Sequence, residues 1–192
     1  AEIQGLQNLW GEIYRELAKE DVPGDEILRV TATLHFGAGA GKPRSAEDSL
    51  DQLRSNCGRF DKPRILSELL LDCARKLTEV HGDIFLGPVT EILHARLLAV
   101  AIKLAKGVSE PERKNLLDQW ERVTFRIFGL YSKDSRTKVG DYVRLAARIV
   151  GNDINTRTYN QIMSALRTLG AGYPVDQAVD VGLVGKDCYG NS

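Results

Sequence analysis

Val30-Thr31-Ala32-Thr33-Leu34-His35-Phe36 is the stretch on which the fold class turns. Its apolar positions alternate with Thr31, Thr33 and His35, as a half-buried strand requires. Read from Asp25, however, Ile27, Leu28, Thr31 and Leu34 fall at helical spacing. A strand needs a partner to satisfy its backbone, and no other segment of this chain reads as one. The stretch is therefore predicted to be helix, and the chain all-α.

Working outward, helical periodicity dominates. Toward the N-terminus, Ile3, Leu6, Trp10, Ile13, Tyr14 and Leu17 form one apolar stripe that Pro23-Gly24 ends. Toward the C-terminus, Gly37 to Arg44 is a Gly-rich loop expected to be flexible. Ser45 to Asp48 opens a short helix with Leu50 and Leu53 inward. Asp61 caps the next, with Pro63 in its first turn and Ile65, Leu66, Leu69, Leu70, Cys73, Leu77 and Val80 along it. Gly87-Pro88 opens a helix whose broad apolar arc, widened by Ala95 and Leu98, makes it central; Gly107 closes it in a left-handed turn. Ser109 and Glu112 form the best capping box, ahead of Leu116, Leu117, Trp120, Val123, Ile127 and Leu130. Two further helices carry Val139 to Ile149 and Tyr159 to Leu169, the second starting at Asn155 or Thr156, and Pro174 to Leu183 reads as a short last one. The expected architecture is an irregular multi-helical bundle of about eight to nine helices without significant sheet. Its divisions are N-terminal helices at 1–36, the loop at 37–44, the main bundle at 45–186 and a truncated end at 187–192, all within one compact domain.

Composition sets the outer limits. The 192 residues are 43% apolar and 27% charged, with 26 basic and 26 acidic side chains and zero formal net charge. Those values exclude a disordered chain, a collagen, a disulfide mini-protein and a domain that is basic overall. Cys57, Cys73 and Cys188 are too few and too far apart for a disulfide framework or zinc site. No signal peptide and no run of about 18 apolar residues is present, so a cytoplasmic, membrane-free location is expected. The first residue, Ala1, and the ending Asp187-Cys188-Tyr189-Gly190-Asn191-Ser192 suggest a segment excised from a longer protein.

Catalytic motifs fail on inspection. Ahead of Gly41-Lys42 a phosphate-binding loop would need glycine where Phe36 stands and a hydroxyl where Pro43 stands. Glu12 with Glu16, and Glu68 with Asp72, are like-charge pairs without an E-x-x-H partner, which reads as solvated helix surface. His35, His81 and His94 have no metal-site spacing, and His94 is expected in the core or at its rim. No catalytic residue, cofactor or metal site is therefore expected. Phe125 projects away from the stripe of its helix, either because that helix is buried on two sides, the favoured reading, or because Phe125 and Phe128 form an interface.

Charge is unevenly spread. Residues 1–96 hold 12 basic and 16 acidic side chains, and 97–192 hold 14 and 10. Within 113–148, nine basic residues face four acidic ones. Arg122 with Arg126, and Arg144 with Arg148, are helical i,i+4 pairs, and with Arg136 they are the candidate nucleic-acid contacts. The competing expectation is a solvated surface or ion pairs with the acidic half.

The run Trp120-Glu121-Arg122-Val123-Thr124-Phe125-Arg126-Ile127-Phe128-Gly129-Leu130-Tyr131, followed by Asp134 to Ala146, resembles the helical region of the bacterial proteins grouped as domain-of-unknown-function family 262. These resemble modification-dependent restriction and phage-defence proteins. Their plan is an N-terminal ParB/sulfiredoxin-like domain with an Asp-Gly-Gln-Gln-Arg motif, a helical middle, and often a C-terminal His-Asn-His nuclease. The resemblance is firmest over residues 109–150, and neither motif occurs in this chain, so no catalytic residue carries over. It implies a non-catalytic middle segment that couples an NTP-sensing domain to an effector, with the neighbouring domains of the parent protein as partners and DNA as a candidate ligand. The alternative is a protein-interaction or oligomerisation bundle without a nucleic-acid role.

Overall fold

The computed structural model describes residues 2–37, 41–57, 63–83 and 92–174. They form eight α-helices: α1 (Glu2–Leu17), α2 (Gly24–Phe36), α3 (Ala46–Cys57), α4 (Pro63–His81), α5 (Leu93–Leu104), α6 (Glu110–Thr124), α7 (Val139–Val150) and α8 (Thr156–Leu169). No strand occurs among the described residues, and Val30–Phe36 belongs to α2. Val30, Thr31, Ala32, Thr33 and Leu34 are all buried there, so the alternation that mimicked a strand is helix covered on several sides. The expected cap at Asp61, start at Gly87-Pro88, helix from Pro174 to Leu183 and end at 187–192 lie outside the described residues, apart from Pro174 itself. So do the middle of the Gly-rich loop at 38–40 and the side chains of Cys57 and Cys188.

The centre of the bundle is α5. Every residue from Ala95 to Ile102 except Arg96 is essentially inaccessible. Burial on all sides leaves a helix no polar face, which is the broad apolar arc of its sequence. Packed against it are α4, α6 and α7, and a single apolar core runs from Ile13 to Leu169. Trp120, fully buried on α6, donates its indole N–H to the Ala95 carbonyl at 3.0 Å. The one charge that α5 carries inward is matched: Arg96 bonds the buried Glu26 of α2, with His81 Nε2 3.6 Å from the same carboxylate.

Local signals behave as expected at the junction of α5 and α6. Gly107 has φ +73°, and a Cβ there would stand 2.5 Å from the Ile154 carbonyl oxygen, so glycine answers both demands. Glu112 accepts from the Ser109 N–H at 2.9 Å and from its hydroxyl at 2.7 Å. Those bonds hold the Glu112 carboxyl below the usual carboxylate range. Arg113 donates to the Ile102 and Lys103 carbonyls, each at 2.8 Å, placing a cation on the open C-terminal end of α5.

Four faces differ from expectation. On α1, Ile13 and Leu17 are buried, but Ile3, Trp10 and Tyr14 are 75%, 41% and 67% exposed. The helix packs mainly on α4, which covers only one flank of the wide apolar arc. Leu50 and Ile65 are likewise exposed, because α3 and α4 turn Leu53 and Leu70 to the core instead. Phe125 is 49% exposed, so two-sided burial of that helix is incorrect. After Thr124 the chain widens into a π-helical turn, Phe125–Leu130, with the Tyr131 N–H bonded to the Arg126 carbonyl five residues back at 3.0 Å. The Phe125 ring lies over Gly129, where a Cβ would meet its Cδ2 at 2.7 Å.

Candidate nucleic-acid interface

Helix α8 is built by its ends and its inner stripe. The Asn155 side chain accepts from the Thr158 N–H at 3.0 Å and caps the first turn. Ile162, Leu166 and Leu169 are buried against α6 and α7. The opposite side exposes Arg157, Asn160, Gln161, Ser164, Arg167 and Thr168, and the helix contains no acidic residue.

A groove runs along each flank of α8, and Ser164 lines both. The α6 side, about 500 Å³, carries Arg122 and Arg167 with Asp118. The α7 side, about 670 Å³, carries Lys138, Arg144 and Arg148 with Asp141. Five cations thus face two carboxylates along one surface. Asp141 is engaged, 2.7 Å from Arg144 and 3.6 Å from Lys138. Arg148 donates to the Gln161 side-chain oxygen, and among the described residues no ion pair holds Arg122 or Arg167. Glycine shapes the Arg144 end: a Cβ at Gly140 would lie 2.9 Å from its guanidinium, and one at Gly41 3.5 Å.

Three of the five sequence-derived arginines therefore belong to these grooves: Arg122, Arg144 and Arg148. Arg126 is turned inward, 3.4 Å from the Tyr173 carbonyl it donates to. Arg136 stands apart in the turn before α7, 94% exposed, with Asp134 3.9 Å away. Arg167 and Lys138 were not among the predicted contacts. The legible signal for Arg167 was an acid-free helix bearing Arg157 and Arg167 ten residues apart. Phe128 is half-buried against the core, its ring 5.7 Å from His94 and 6.2 Å from Tyr142, while Phe125 is exposed.

Three further polar side chains, His94, Tyr142 and Cys73, are buried. His94 is 3% exposed, edge-on to Tyr142 at 5.1 Å, with Nε2 3.2 Å from the Thr137 carbonyl oxygen, and burial pushes its pKa down. The Tyr142 hydroxyl lies 3.1 Å from Thr124 Oγ1, and burial pushes that phenol up to about 12. Burial also raises the Cys73 thiol to about 12, far from a reactive thiolate. No group of His, Cys, Asp and Glu able to hold a metal ion occurs among the described residues. Nor is any helix among them long and apolar enough to cross a membrane.

No family model, curated protein or solved structure matches the chain.

Proposed function

We propose that this chain is a non-catalytic helical module of a larger, cytoplasmic restriction-like or defence protein. In that role it couples an NTP-sensing domain to an effector and contacts DNA through the surface around α8. The resemblance over residues 109–150 supports the context. The observation that carries the DNA contact is the pair of grooves beside α8, where Arg122, Arg167, Arg144 and Arg148 gather from three helices with Lys138 from the turn before α7. Cations so placed neutralise phosphates and release counterions, which gives binding at low salt. The test is fluorescence anisotropy of a labelled DNA duplex at about 50 mM salt. The wild-type chain is expected to bind, and Arg122→Ala/Arg148→Ala to bind at least about tenfold more weakly with unchanged helical circular dichroism. Absence of binding by the folded wild type removes the DNA contact.

A second reading has one observation in its favour. Ile3, Trp10 and Tyr14 leave an apolar flank of α1 uncovered, and exposed aromatic patches mark protein interfaces. An oligomerisation bundle predicts a mass that rises with concentration in light scattering. A constant monomer mass argues against it.

A further inference from the structure

The arrangement around α8 goes further than a basic patch, which would bind phosphates without regard to sequence. Three features set α8 apart. A groove follows each of its flanks, and Ser164, exposed between them, lines both. Cations lie on both flanks, Arg122 and Arg167 toward α6, Lys138 and Arg148 toward α7. Its exposed side is uniformly hydrogen-bonding: Arg157, Asn160, Gln161, Ser164, Arg167 and Thr168 include no apolar and no acidic residue.

These features match what duplex DNA presents. A helix with its side chains is about 10–12 Å across, and the B-form major groove is about 12 Å wide. A phosphate backbone then borders the inserted helix on each side, where the two sets of cations stand. Arginine reads guanine and asparagine reads adenine through paired hydrogen bonds to the base edge. Arg157 and Asn160 are exposed, and neither side chain bonds another described residue. Ser164 is short, which lets the middle of the helix approach the bases. Gln161 differs, since Arg148 already engages its side-chain oxygen. A protein partner would call for an apolar centre, which this face lacks. The deep, narrow major groove of A-form RNA would not admit the helix.

We propose that α8 is a sequence-reading helix for duplex DNA, entering the major groove with Arg157, Asn160 and Ser164 while the flanking cations hold the two phosphate backbones. This rests on the DNA contact proposed above and adds base recognition to it.

The test is selection by the full chain from a pool of DNA duplexes with a randomised central segment, followed by binding to the enriched and unselected duplexes. The wild type is expected to enrich one motif and to bind it at least about tenfold more tightly than the pool, the discrimination of one or two good base contacts. Arg157→Ala and Asn160→Ala should each lose about tenfold on the enriched duplex and relax the preference at one base pair, with less change on the pool. Arg148→Ala should weaken both by the same factor. An RNA duplex should bind more weakly than the pool. Binding of the pool without any enriched motif overturns the reading helix and leaves the phosphate contact standing. Failure of the folded chain to bind any duplex at low salt overturns both. An enriched motif indifferent to Arg157→Ala and Asn160→Ala also overturns the assignment to α8.

Discussion

Helices α5 and α8 are close in length and opposite in what surrounds them. From Ala95 to Ile102, α5 is closed off on all sides apart from Arg96, which bonds Glu26. By contrast, α8 buries only the stripe of Ile162, Leu166 and Leu169 and exposes an acid-free hydrogen-bonding side. The first helix is where stability is concentrated, and the second is where the molecule can meet something else. The contrast is directly breakable, because changes near α5 should cost stability while changes on the outer side of α8 should cost binding alone.

The largest loss of stability is expected from Trp120→Ala. That side chain is fully buried and bonded to α5, and its removal leaves a large cavity and deletes the bond to the Ala95 carbonyl. The expected cost is about 3–5 kcal/mol, read from chemical denaturation. Next comes Gly107→Ala, which forces a Cβ into a left-handed φ and against the Ile154 carbonyl. A loss of about 1–3 kcal/mol is expected, with a lowered Tm. Ser109→Ala removes the hydroxyl side of the capping box and should cost about 1 kcal/mol in the same assay.

A pH titration sharpens the same contrast. Burial holds His94 and His35 below the ordinary histidine value of 6.5. Both groups are neutral when folded and take up a proton more readily when unfolded. Their contribution is therefore complete above about pH 6.5 and is lost as pH falls through the lowered folded values. Tm should fall between pH 7.5 and 5, and His94→Gln should reduce the fall. At the small end, Arg167→Ala and Asn160→Ala lie on the exposed side of α8 and should shift stability by no more than about 0.5 kcal/mol.

Much of this architecture was legible because it rests on local chemistry. The all-round apolarity of α5, the capping box at Ser109 and Glu112, the Asn155 cap and the left-handed Gly107 each follow from neighbouring residues. What periodicity does not carry is which neighbour covers a face. It placed Ile3, Trp10 and Tyr14 in one arc with Ile13 and Leu17, but only α4 decides where coverage ends. Nor did it give the π-helical turn, within which the Phe125 ring lies over Gly129. The candidate interface was half legible for the same reason. A window over 113–148 counts Arg113 and Arg126, which bind backbone carbonyls, and omits Arg167, which α8 brings beside Arg122. Charge in a sequence window is a sum, whereas a binding surface is an arrangement.

The DNA contact proposed for the surface around α8 consists in neutralising phosphates. It is tested most directly by the salt dependence of duplex binding. With four or five phosphate contacts, log Kobs against log salt should fall with a slope of about −4, and Arg122→Ala/Arg148→Ala should reduce its magnitude by about 2. A folded wild-type chain that does not bind duplex DNA at about 50 mM salt, or a slope that the arginine substitutions leave unchanged, would contradict the account.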